Sequence, residues 1–433
     1  MKNKLNFYVI AVMLVIVAVS CKKKSGEEDI TSLPYANESA SQSKSNLETT
    51  GQSMVTELSN LADVQGVGTA QSLSYFLDMS APFTISTQSA VIFSSVKTAA
   101  TNGANKDVKG VYRFLTTTVG TTPDTTIIQV YNKNKGIYTW NASLKKWDKT
   151  ASNDKIELVF PSTKTGTTND AKFDFTYQSK MVSSSSASLN GELPLSIDAV
   201  LSVGSDKIME YSFTAQYNSD NTPSSVSTFL ALYPFKFETT VTNNSSTASV
   251  RYLFTDDTKT IFDFYVDVNG SLSQNSVANS TNAEDVINNA NAYFQVFNIK
   301  LAGRIDVKGL SSRMNEIYSN TEVADSTINK QEVAAMNQYI ALVLMYADTK
   351  QKIAQAEFYP IVETETYSYG NEVYTYYYYD SDIRFIFTDG SKGSLESYFG
   401  NGFKDVITDF NTLLVKLNNN FGLGAGQVTY TGN

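Results

Sequence analysis

The sequence predicts an α+β fold: a large antiparallel meander sheet of about ten or more strands, with one apolar face covered by amphipathic helices. Three observations support this prediction. Apolar and polar residues alternate through the middle of the chain, the turn-forming breaks between these rows are short, and apolar stripes with helical spacing flank them. Short breaks favour neighbouring antiparallel strands over helical crossovers.

The first residues have the pattern of a secretory signal. Two lysines precede an uncharged run from Leu5 to Ser20, which is shorter than the roughly 20 residues that a membrane-spanning helix needs. The run ends at Ala18-Val19-Ser20-Cys21, and Cys21 is the only cysteine of the chain. This stretch resembles the lipobox of bacterial lipoproteins, although Ala18 stands where leucine is usual. The resemblance implies that Cys21 is diacylated, becomes the first mature residue and anchors the protein in a membrane.

The residues after Cys21 bear on sorting. Lys22 stands where aspartate is associated with inner-membrane retention in some bacteria. The acidic stretch from Ser25 to Asp29 resembles the export signal of surface lipoproteins in the Bacteroidota, although three lysines separate it from the cysteine. The alternative is a solvated charge run in a linker. We therefore expect a lipid-anchored protein of the outer membrane. The acidic stretch would further imply that the protein is exposed at the cell surface.

Composition divides the chain into three parts. Residues 1–20 are the expected signal peptide. Residues 21–45 are polar, with little to bury, and predict a flexible tether. Residues 46–433 are predicted to form a single large α+β domain, and the Ser/Asn-rich loop at 271–283 is the place where this domain could divide.

Helices are expected before the sheet, followed by seven strand rows. Leu47, Met54, Leu58 and Leu61 recur at helical intervals, and a second short helix is expected from Gln71 to Met79. The rows that alternate with period two are Ile156–Phe160, Phe173–Tyr177, Leu195–Val203, Tyr211–Tyr217, Phe229–Phe237, Val250–Phe254 and Phe262–Val268. Pro234 lies inside the fifth row, so we expect that strand to be an edge strand or to carry a bulge.

The C-terminal part alternates between predicted helices and strands. In chain order, these are a short helix at Ala283–Ala290, a strand at Phe297–Val307, helices at Ser311–Ser319 and Asn329–Lys352, strands at Phe358–Tyr369 and Val373–Phe387, and a helix at Ser394–Asn418. Ten strands make a sheet ~48 Å wide, and about five helices ~10 Å across would close one face. The helices could therefore seal the sheet. If they form an incomplete lid, the architecture resembles the open half-barrels of periplasmic lipoprotein carriers.

Composition narrows the chemistry. The chain has no histidine, which removes the usual general base at neutral pH and the commonest metal ligand. A single cysteine excludes an internal disulfide and a cysteine-rich zinc site. A net charge of −9 argues against nucleic acid as a partner. We expect no cofactor, no metal and no enzymatic activity.

A catalytic site would have to use carboxylates or serine and lysine. The candidate acids, Asp256-Asp257 or Asp263 with Asp267, lie on or beside strands whose alternation places them on the solvated face. Three further motifs are also weak, because each is short or incomplete. They are Ser-Lys spacings at Ser94/Lys97 and Ser143/Lys146, the start of a calcium loop at Asp267, Asn269 and Gly270 (for which a hairpin turn is the favoured interpretation), and the C-terminal glycines Gly422, Gly424 and Gly426.

The most unusual local feature is a run of tyrosines near the end of the sheet. Tyr374, Tyr376 and Tyr378 would share one face of a strand, whereas Tyr377 and Tyr379 would take the other. Outward-facing rings could stack on a sugar or a partner protein. The interpretation that the sequence favours is cross-strand aromatic pairing together with cover for the last helix. Trp140 and Trp147 flank a turn, and we expect them to pack in the core rather than lie at a rim.

These observations predict a non-enzymatic, lipid-anchored envelope protein with a binding or structural role, whose glycan, lipid or protein partner the sequence does not identify. Tyr374, Tyr376 and Tyr378 are the candidate ligand or partner surface, and acylated Cys21 is the membrane contact. A carrier of lipid or another apolar ligand, held between sheet and helices, is the alternative. A glycoside hydrolase with two carboxylates is the third hypothesis.

Overall fold

The chain folds as an α+β protein around a large sheet. The computed structural model describes residues 29–60, 64–82, 126–182, 191–219, 221–257, 259–319, 323–369 and 372–394, together with Thr408 and Asn411. The strands are β1 Gly136–Asn141, β2 Lys146–Thr150, β3 Ile156–Phe160, β4 Ala171–Val182, β5 Gly191–Val203, β6 Asp206–Tyr217, β7 Pro223–Leu232, β8 Phe235–Asn243, β9 Thr247–Asp256, β10 Lys259–Gly270, β11 Ile287–Val296, β12 Ile299–Asp306, β13 Ile340–Tyr346, β14 Lys352–Tyr369, β15 Glu372–Phe387 and β16 Lys392–Gly393. The helices are α1 Ala40–Asn60, α2 Gln65–Met79, α3 Ile127–Asn134, α4 Gln274–Asn279, α5 Val307–Ser319 and α6 Asp325–Tyr339, with 3₁₀ turns at Ile30–Ser32 and Ala283–Asp285.

The sixteen strands follow one another in the sheet almost in chain order, from β16 back to β3 and then β1 and β2. From β1 to β8 and from β10 to β16, the strand pairs are antiparallel except β1 with β3, which run parallel from Gly136 opposite Ile156. Most turns between strands are too short for a crossover, which is why neighbours in sequence are also neighbours in the sheet. The predicted α+β class and large sheet are confirmed. The sheet is mixed because of the one parallel pair.

Contacts divide the described chain into two compact units. We call residues 63–242 with 255–257 the β1–β8 unit, and the remaining described residues the β9–β16 unit. The sequence predicts a single domain, with 271–283 as the place where it could divide. The contacts divide the chain at Asn243, the last residue of β8.

The β1–β8 unit has an aromatic core beneath helix α2. Trp140 and Trp147 pack edge to face with ring centroids 5.4 Å apart, and Phe76 of α2 lies 4.9 Å from Trp140. The indole N–H of Trp147 donates to the Ser80 carbonyl at 2.7 Å, which satisfies the only polar atom of the side chain. The core position expected for both tryptophans is confirmed, since each is buried.

In the β9–β16 unit, successive side chains of β10 point to opposite faces of the sheet, as the sequence predicts. Val266 and Val268 of β10 pack against Ala290 and Ala292 of β11. A second cluster joins Leu47 of α1 to Ile299, Leu344 and Phe385. Asp263, Tyr265 and Asp267 occupy the opposite face of β10, because successive side chains alternate.

Several element boundaries differ from the sequence expectations. The row Phe229–Phe237 is two strands, since the chain turns at Tyr233-Pro234 and Leu232 pairs with Phe235. Helix α6 ends at Tyr339, and the residues that follow form β13, with Val343 fully buried. The helix expected at Ala283–Ala290 is a 3₁₀ turn followed by β11, and a turn at Phe297 separates β11 from β12. The helix expected at Ser394–Asn418 lies almost wholly outside the described residues.

Residues 29–45, expected to belong to a flexible tether, are packed in the β9–β16 unit. Arg304 Nη2 lies 2.8 Å from Asp29 Oδ1, and Lys352 Nζ donates to the Thr31 carbonyl at 2.6 Å. Leu33 is buried beside Val343, and α1 begins at Ala40. The few apolar side chains in this polar stretch suffice to dock it.

Candidate functional site

Strands β14 and β15 form a hairpin much longer than its neighbours. Their residues pair without a break from Ala354 opposite Phe387 to Tyr369 opposite Glu372. At the base, Ala354, Phe385 and Phe387 are buried in the core cluster that includes Leu47. The base therefore fixes the direction in which the rest of the hairpin extends.

The strands beside this hairpin stop short of its tip. β13 pairs with β14 only from Lys352 to Gln355, and β16 pairs with β15 only at Phe385 and Ile386. Helix α6 contacts the hairpin just beyond these strands. The Asn337 amide donates to the Phe358 carbonyl and accepts from the Phe358 N–H, both at 2.8 Å, while Asn329 donates to the Asp380 carbonyl at 2.9 Å. We call residues 361–369 and 372–380 the distal hairpin; among the described residues, no third strand pairs with them.

Tyrosine and valine side chains are exposed on both faces of the distal hairpin. Tyr376 and Tyr377 point to opposite faces, with 51% and 61% of their surface accessible. A strand in a sheet usually buries one of its two faces. The exposed side chains are Val362, Tyr367, Val373, Tyr374, Tyr376, Tyr377, Tyr378 and Tyr379. An exposed apolar patch of this kind is typical of an interaction surface.

The three tyrosines singled out from the sequence lie together on one face. Directly paired residues share a face, so Tyr374, Tyr376 and Tyr378 lie opposite Tyr367, Glu365 and Glu363 respectively. The Tyr367 ring stacks between its neighbours, 5.8 Å from the Tyr374 ring and 6.5 Å from the Tyr376 ring. The result is a ladder of rings flanked by carboxylates.

The distal hairpin is also acidic. No lysine or arginine occurs between Lys352 and Arg384, whereas Glu363, Glu365, Glu372 and Asp380 all fall in this stretch. The negative charge of Glu365 raises the pKa of the neighbouring Tyr378 phenol. The surface that the tip presents is therefore one of aromatic rings and negative charge.

The base of the same hairpin holds a cation between a ring and a carboxylate. The Arg384 guanidinium lies 4.4 Å from the centroid of the Tyr359 ring, and its Nε donates to Glu357 Oε2 at 2.7 Å. Lys392 Nζ contacts the same carboxylate oxygen at 3.0 Å. The hydrogen bond from Arg384 is the main cause of the lowered Glu357 pKa. Glu357, Tyr359 and Arg384 lie on the face that carries Tyr376 further out, since they are an even number of residues away along the paired strands.

Asp263, a candidate catalytic acid, is engaged in an ion pair. Its side chain is 6% exposed, so the prediction that it is solvated is wrong. Arg251 donates to both carboxylate oxygens, at 2.9 and 2.8 Å, and the Tyr293 hydroxyl donates at 2.9 Å. The Nζ atom of Lys300 lies 3.9 Å from the centroid of the Tyr293 ring, and burial lowers the pKa of Lys300. A carboxylate that accepts three such bonds is suited to holding strands together rather than to exchanging protons with a substrate.

The other sequence motifs are structural or lie outside the described residues. Asp267 and Asn269 are in β10, not in a hairpin turn, and are hydrogen-bonded to Asn291 and Asn289 of β11. The Nζ atom of Lys146 lies 3.5 Å from Oδ1 of Asp148, and both side chains are exposed. Asp256 ends β9, and Asp257 follows it in the turn to β10. Cys21, Ser94, Lys97, Gly422, Gly424 and Gly426 lie outside the described residues.

The described part of the chain has no metal cluster, and its cavity in the β9–β16 unit has a polar lining. No three His, Cys, Asp or Glu side chains are grouped there as metal ligands. A cavity of about 540 Å³ in the β9–β16 unit is lined mainly by polar side chains, among them Arg304, Asn337, Gln355 and Glu357. Such a lining differs from the mostly hydrophobic walls of sites that hold apolar ligands.

Comparison of the chain with protein-family models, with curated proteins and with solved structures finds no match. Among the described helices, none combines the length and the apolarity needed to cross a bilayer.

The distal hairpin is the candidate site that the geometry favours, because its tyrosines are exposed on both faces. Its exposure could not be read from the alternation of residues, because it depends on where β13 and β16 end.

Proposed function

We propose that this chain is an envelope lipoprotein, anchored in the outer membrane through acylated Cys21, which binds a partner through the distal hairpin. The observation that carries the binding role is the exposure of tyrosines on both faces of a continuously paired hairpin. Tyrosine is enriched at binding surfaces because it offers a large rigid contact area at a low entropic cost.

The packing of the N-terminal segment is compatible with an anchored protein. Asp29 and Thr31 are attached to Arg304 and Lys352 in the same unit that carries the hairpin. The stretch from Cys21 to Asp29 can extend at most ~28 Å. An acyl chain on Cys21 would therefore keep the attachment point close to the lipid surface.

We further propose that the helices close the apolar side of the sheet and do not form the incomplete lid of an open half-barrel. Contacts of Leu47 in α1, and of Val307 and Leu310 in α5, with strand side chains support this arrangement. The polar lining of the cavity does not favour an apolar-ligand carrier, and the ion pair at Asp263 does not favour a glycosidase.

The anchor is tested by fractionating cells that express the full chain or its Cys21→Ser variant. We expect the variant to move from the membrane fraction to the soluble fraction, and a Ser25→Ala control to stay with the membrane. Membrane association of the Cys21→Ser protein equal to that of the wild type would refute the anchor.

The binding role is tested by placing a photo-reactive phenylalanine analogue at position 376 or, as a control, at the exposed Tyr252 of β9. We expect a discrete crosslinked product from position 376 alone. It should disappear when Tyr374 and Tyr378 are replaced by serine in the same chain. Products that are the same at both positions, or that persist without the neighbouring rings, would contradict a hairpin-specific partner.

A further inference from the structure

We propose that the partner of the distal hairpin is a basic polypeptide segment, whose lysine or arginine side chains lie over the tyrosine rings and beside the glutamates. This inference rests on the proposed binding function and adds the chemical class of the partner. It is carried by one juxtaposition. On one face of the distal hairpin, Tyr376 and Tyr378 of β15 lie opposite Glu365 and Glu363 of β14, and the sequence between Lys352 and Arg384 contains no lysine or arginine.

The base of the hairpin provides an internal example of how such a face holds a cation. Arg384 lies over the Tyr359 ring at 4.4 Å while it donates to Glu357 at 2.7 Å. The combination satisfies a guanidinium in two ways, since the ring face attracts its charge and the carboxylate accepts its hydrogen bond. Further out on the same face, Tyr376 is paired directly with Glu365, and Tyr378 is adjacent to Glu365 closely enough for its pKa to rise.

Several aromatic rings of the described residues lie beneath a cation. Eight aromatic rings among the described residues have a lysine or arginine within 5.1 Å of the centroid, on Tyr35, Tyr131, Tyr138, Tyr217, Phe229, Tyr293, Phe297 and Tyr359. Tyr376 and Tyr377 are more exposed than the buried Tyr131 and Tyr138 and have no lysine or arginine on their own hairpin. They thus present the same kind of ring face to solvent, and Tyr376 does so opposite the carboxylate of Glu365.

Charge argues against the other occupants of this surface. A second copy of the hairpin would bring Glu363 and Glu365 against the same residues, and like charges placed face to face across an interface are unfavourable. An anionic lipid surface would be repelled for the same reason. A neutral glycan could stack on the rings but would gain nothing from the charge of the glutamates. A basic polypeptide uses both.

The test measures binding of a fluorescent peptide of alternating arginine and serine to the full chain, by anisotropy at low and physiological salt. A peptide in which citrulline replaces arginine keeps the shape but removes the charge. We expect the arginine peptide to bind and the citrulline peptide to bind at least 10-fold more weakly. Equal binding of the two peptides would overturn the inference.

Variants of the hairpin separate the rings from general electrostatic attraction. The double variant Tyr376→Ser/Tyr378→Ser should weaken binding of the arginine peptide by about 5- to 30-fold, as expected for two exposed cation–π contacts. Tyr376→Phe/Tyr378→Phe keeps the rings and should bind within about twofold of the wild type. Glu365→Gln should also weaken binding. Circular dichroism of each variant checks that it is folded.

The matched control is Tyr252→Ser, which removes an exposed ring from β9 in the same unit. It should leave the affinity unchanged. If all variants bind equally, attraction to the negative protein as a whole explains the result and the inference is wrong. It is also wrong if the ring-free variant loses binding to neutral oligosaccharides but not to the arginine peptide. Crosslinking at position 376 together with no affinity for the arginine peptide would leave the proposed binding function intact and refute only the basic partner.

Discussion

Asp263 shows how a charge can be accommodated on a sheet face. Its carboxylate receives two bonds from Arg251 on β9 and one from Tyr293 on β11, so a single side chain on β10 connects the strands on both sides of it. When one charge of a partly buried ion pair is removed, the charge of the remaining partner is left without its counter-charge, which is unfavourable. The ion pair is thus a structural element of the β9–β16 unit.

We predict that Asp263→Asn lowers the free energy of unfolding by about 1–3 kcal/mol, less than for a fully buried pair because Arg251 is 43% exposed. Urea unfolding of the full chain measures the change. Glu316→Gln, which removes an exposed pair with Arg313 in the same unit, is the control and should leave the midpoint unchanged. A midpoint for Asp263→Asn equal to that of the control would show that the pair adds nothing.

Because several tyrosines are partly buried, we expect the free energy of unfolding to fall at alkaline pH. Burial, aided by the charge of Asp263, raises the pKa of Tyr293 to about 12, whereas a phenol in an unfolded chain has a pKa near 10. Between these values, the unfolded chain has released a proton that the folded chain retains. The free energy of unfolding therefore falls as the pH rises from 10 to 12.

Tyr293→Phe removes this contribution. We expect the variant to be less stable than the wild type at pH 9, because a hydrogen bond is lost, yet to lose less stability between pH 10 and 12. Urea midpoints at these pH values give the comparison. Parallel curves for the two proteins would mean that Tyr293 does not titrate in this range.

At the scale of the element, helix α2 approaches the sheet closely at its first turn. A Cβ built on Gly66 would lie 2.7 Å from the carbonyl oxygen of Ile208 in β6, whereas one on Gly68 would meet nothing within 4 Å. Further along, the buried Ser72 hydroxyl donates to the Pro161 carbonyl at 3.0 Å. The helix cannot shift at Gly66 without straining this contact.

Two glycine-to-alanine variants in the same helix should therefore have opposite effects. Gly66→Ala is expected to destabilise the chain by ~1–3 kcal/mol, since the helix must move away from β6. Gly68→Ala is expected to stabilise it by ~0.5–1 kcal/mol, because alanine lowers the entropy of the unfolded chain. Thermal or urea unfolding measures both. Equal effects would show that the close approach at Gly66 is readily relieved.

Element type could be predicted from the sequence where one periodicity extends over a whole element. The rows Ile156–Phe160 and Phe262–Val268 are strands as expected. Where two elements meet without a turn signal, the prediction failed. The stripe from Val333 to Leu344 continues past Tyr339, yet Val343 and Leu344 are strand residues whose hydrogen bonds go to β12. Tertiary pairing overrides local preference at such a junction.

The candidate site was only partly predictable for a related reason. Alternation places Tyr374, Tyr376 and Tyr378 on one face, and the strand register agrees. Whether that face is covered depends on β13 and β16, which pair with only the base of the hairpin. The same alternation would describe tyrosines in the middle of a sheet, so exposure had to come from the fold.

At the scale of the whole molecule, the two units have separate hydrophobic clusters and different optical probes. Both tryptophans of the chain lie in the core of the β1–β8 unit. The clusters around Leu47 and Ala290 belong to the β9–β16 unit. Tryptophan fluorescence therefore reports on one unit, whereas far-UV circular dichroism reports on both.

We expect Gly66→Ala to shift the fluorescence midpoint in urea. Asp263→Asn should shift the dichroism transition more than the fluorescence transition, because its effect arises in the unit without tryptophan. Recording both signals on the same samples provides the comparison. Identical shifts of both signals in Asp263→Asn would mean that the chain unfolds as one cooperative block.

The unpaired edges of the distal hairpin also affect the tendency of the protein to aggregate. From Val362 to Thr366, the outer edge of β14 faces no described strand, and exposed edges of this kind can nucleate fibrils. Pro360 removes one backbone donor near the base of that edge, and the carboxylates of Glu363, Glu365 and Asp380 keep approaching molecules apart. Salt near 1 M shortens the range of this repulsion to ~3 Å. Solubility of the protein should therefore fall as ionic strength rises, even though its fold is unchanged.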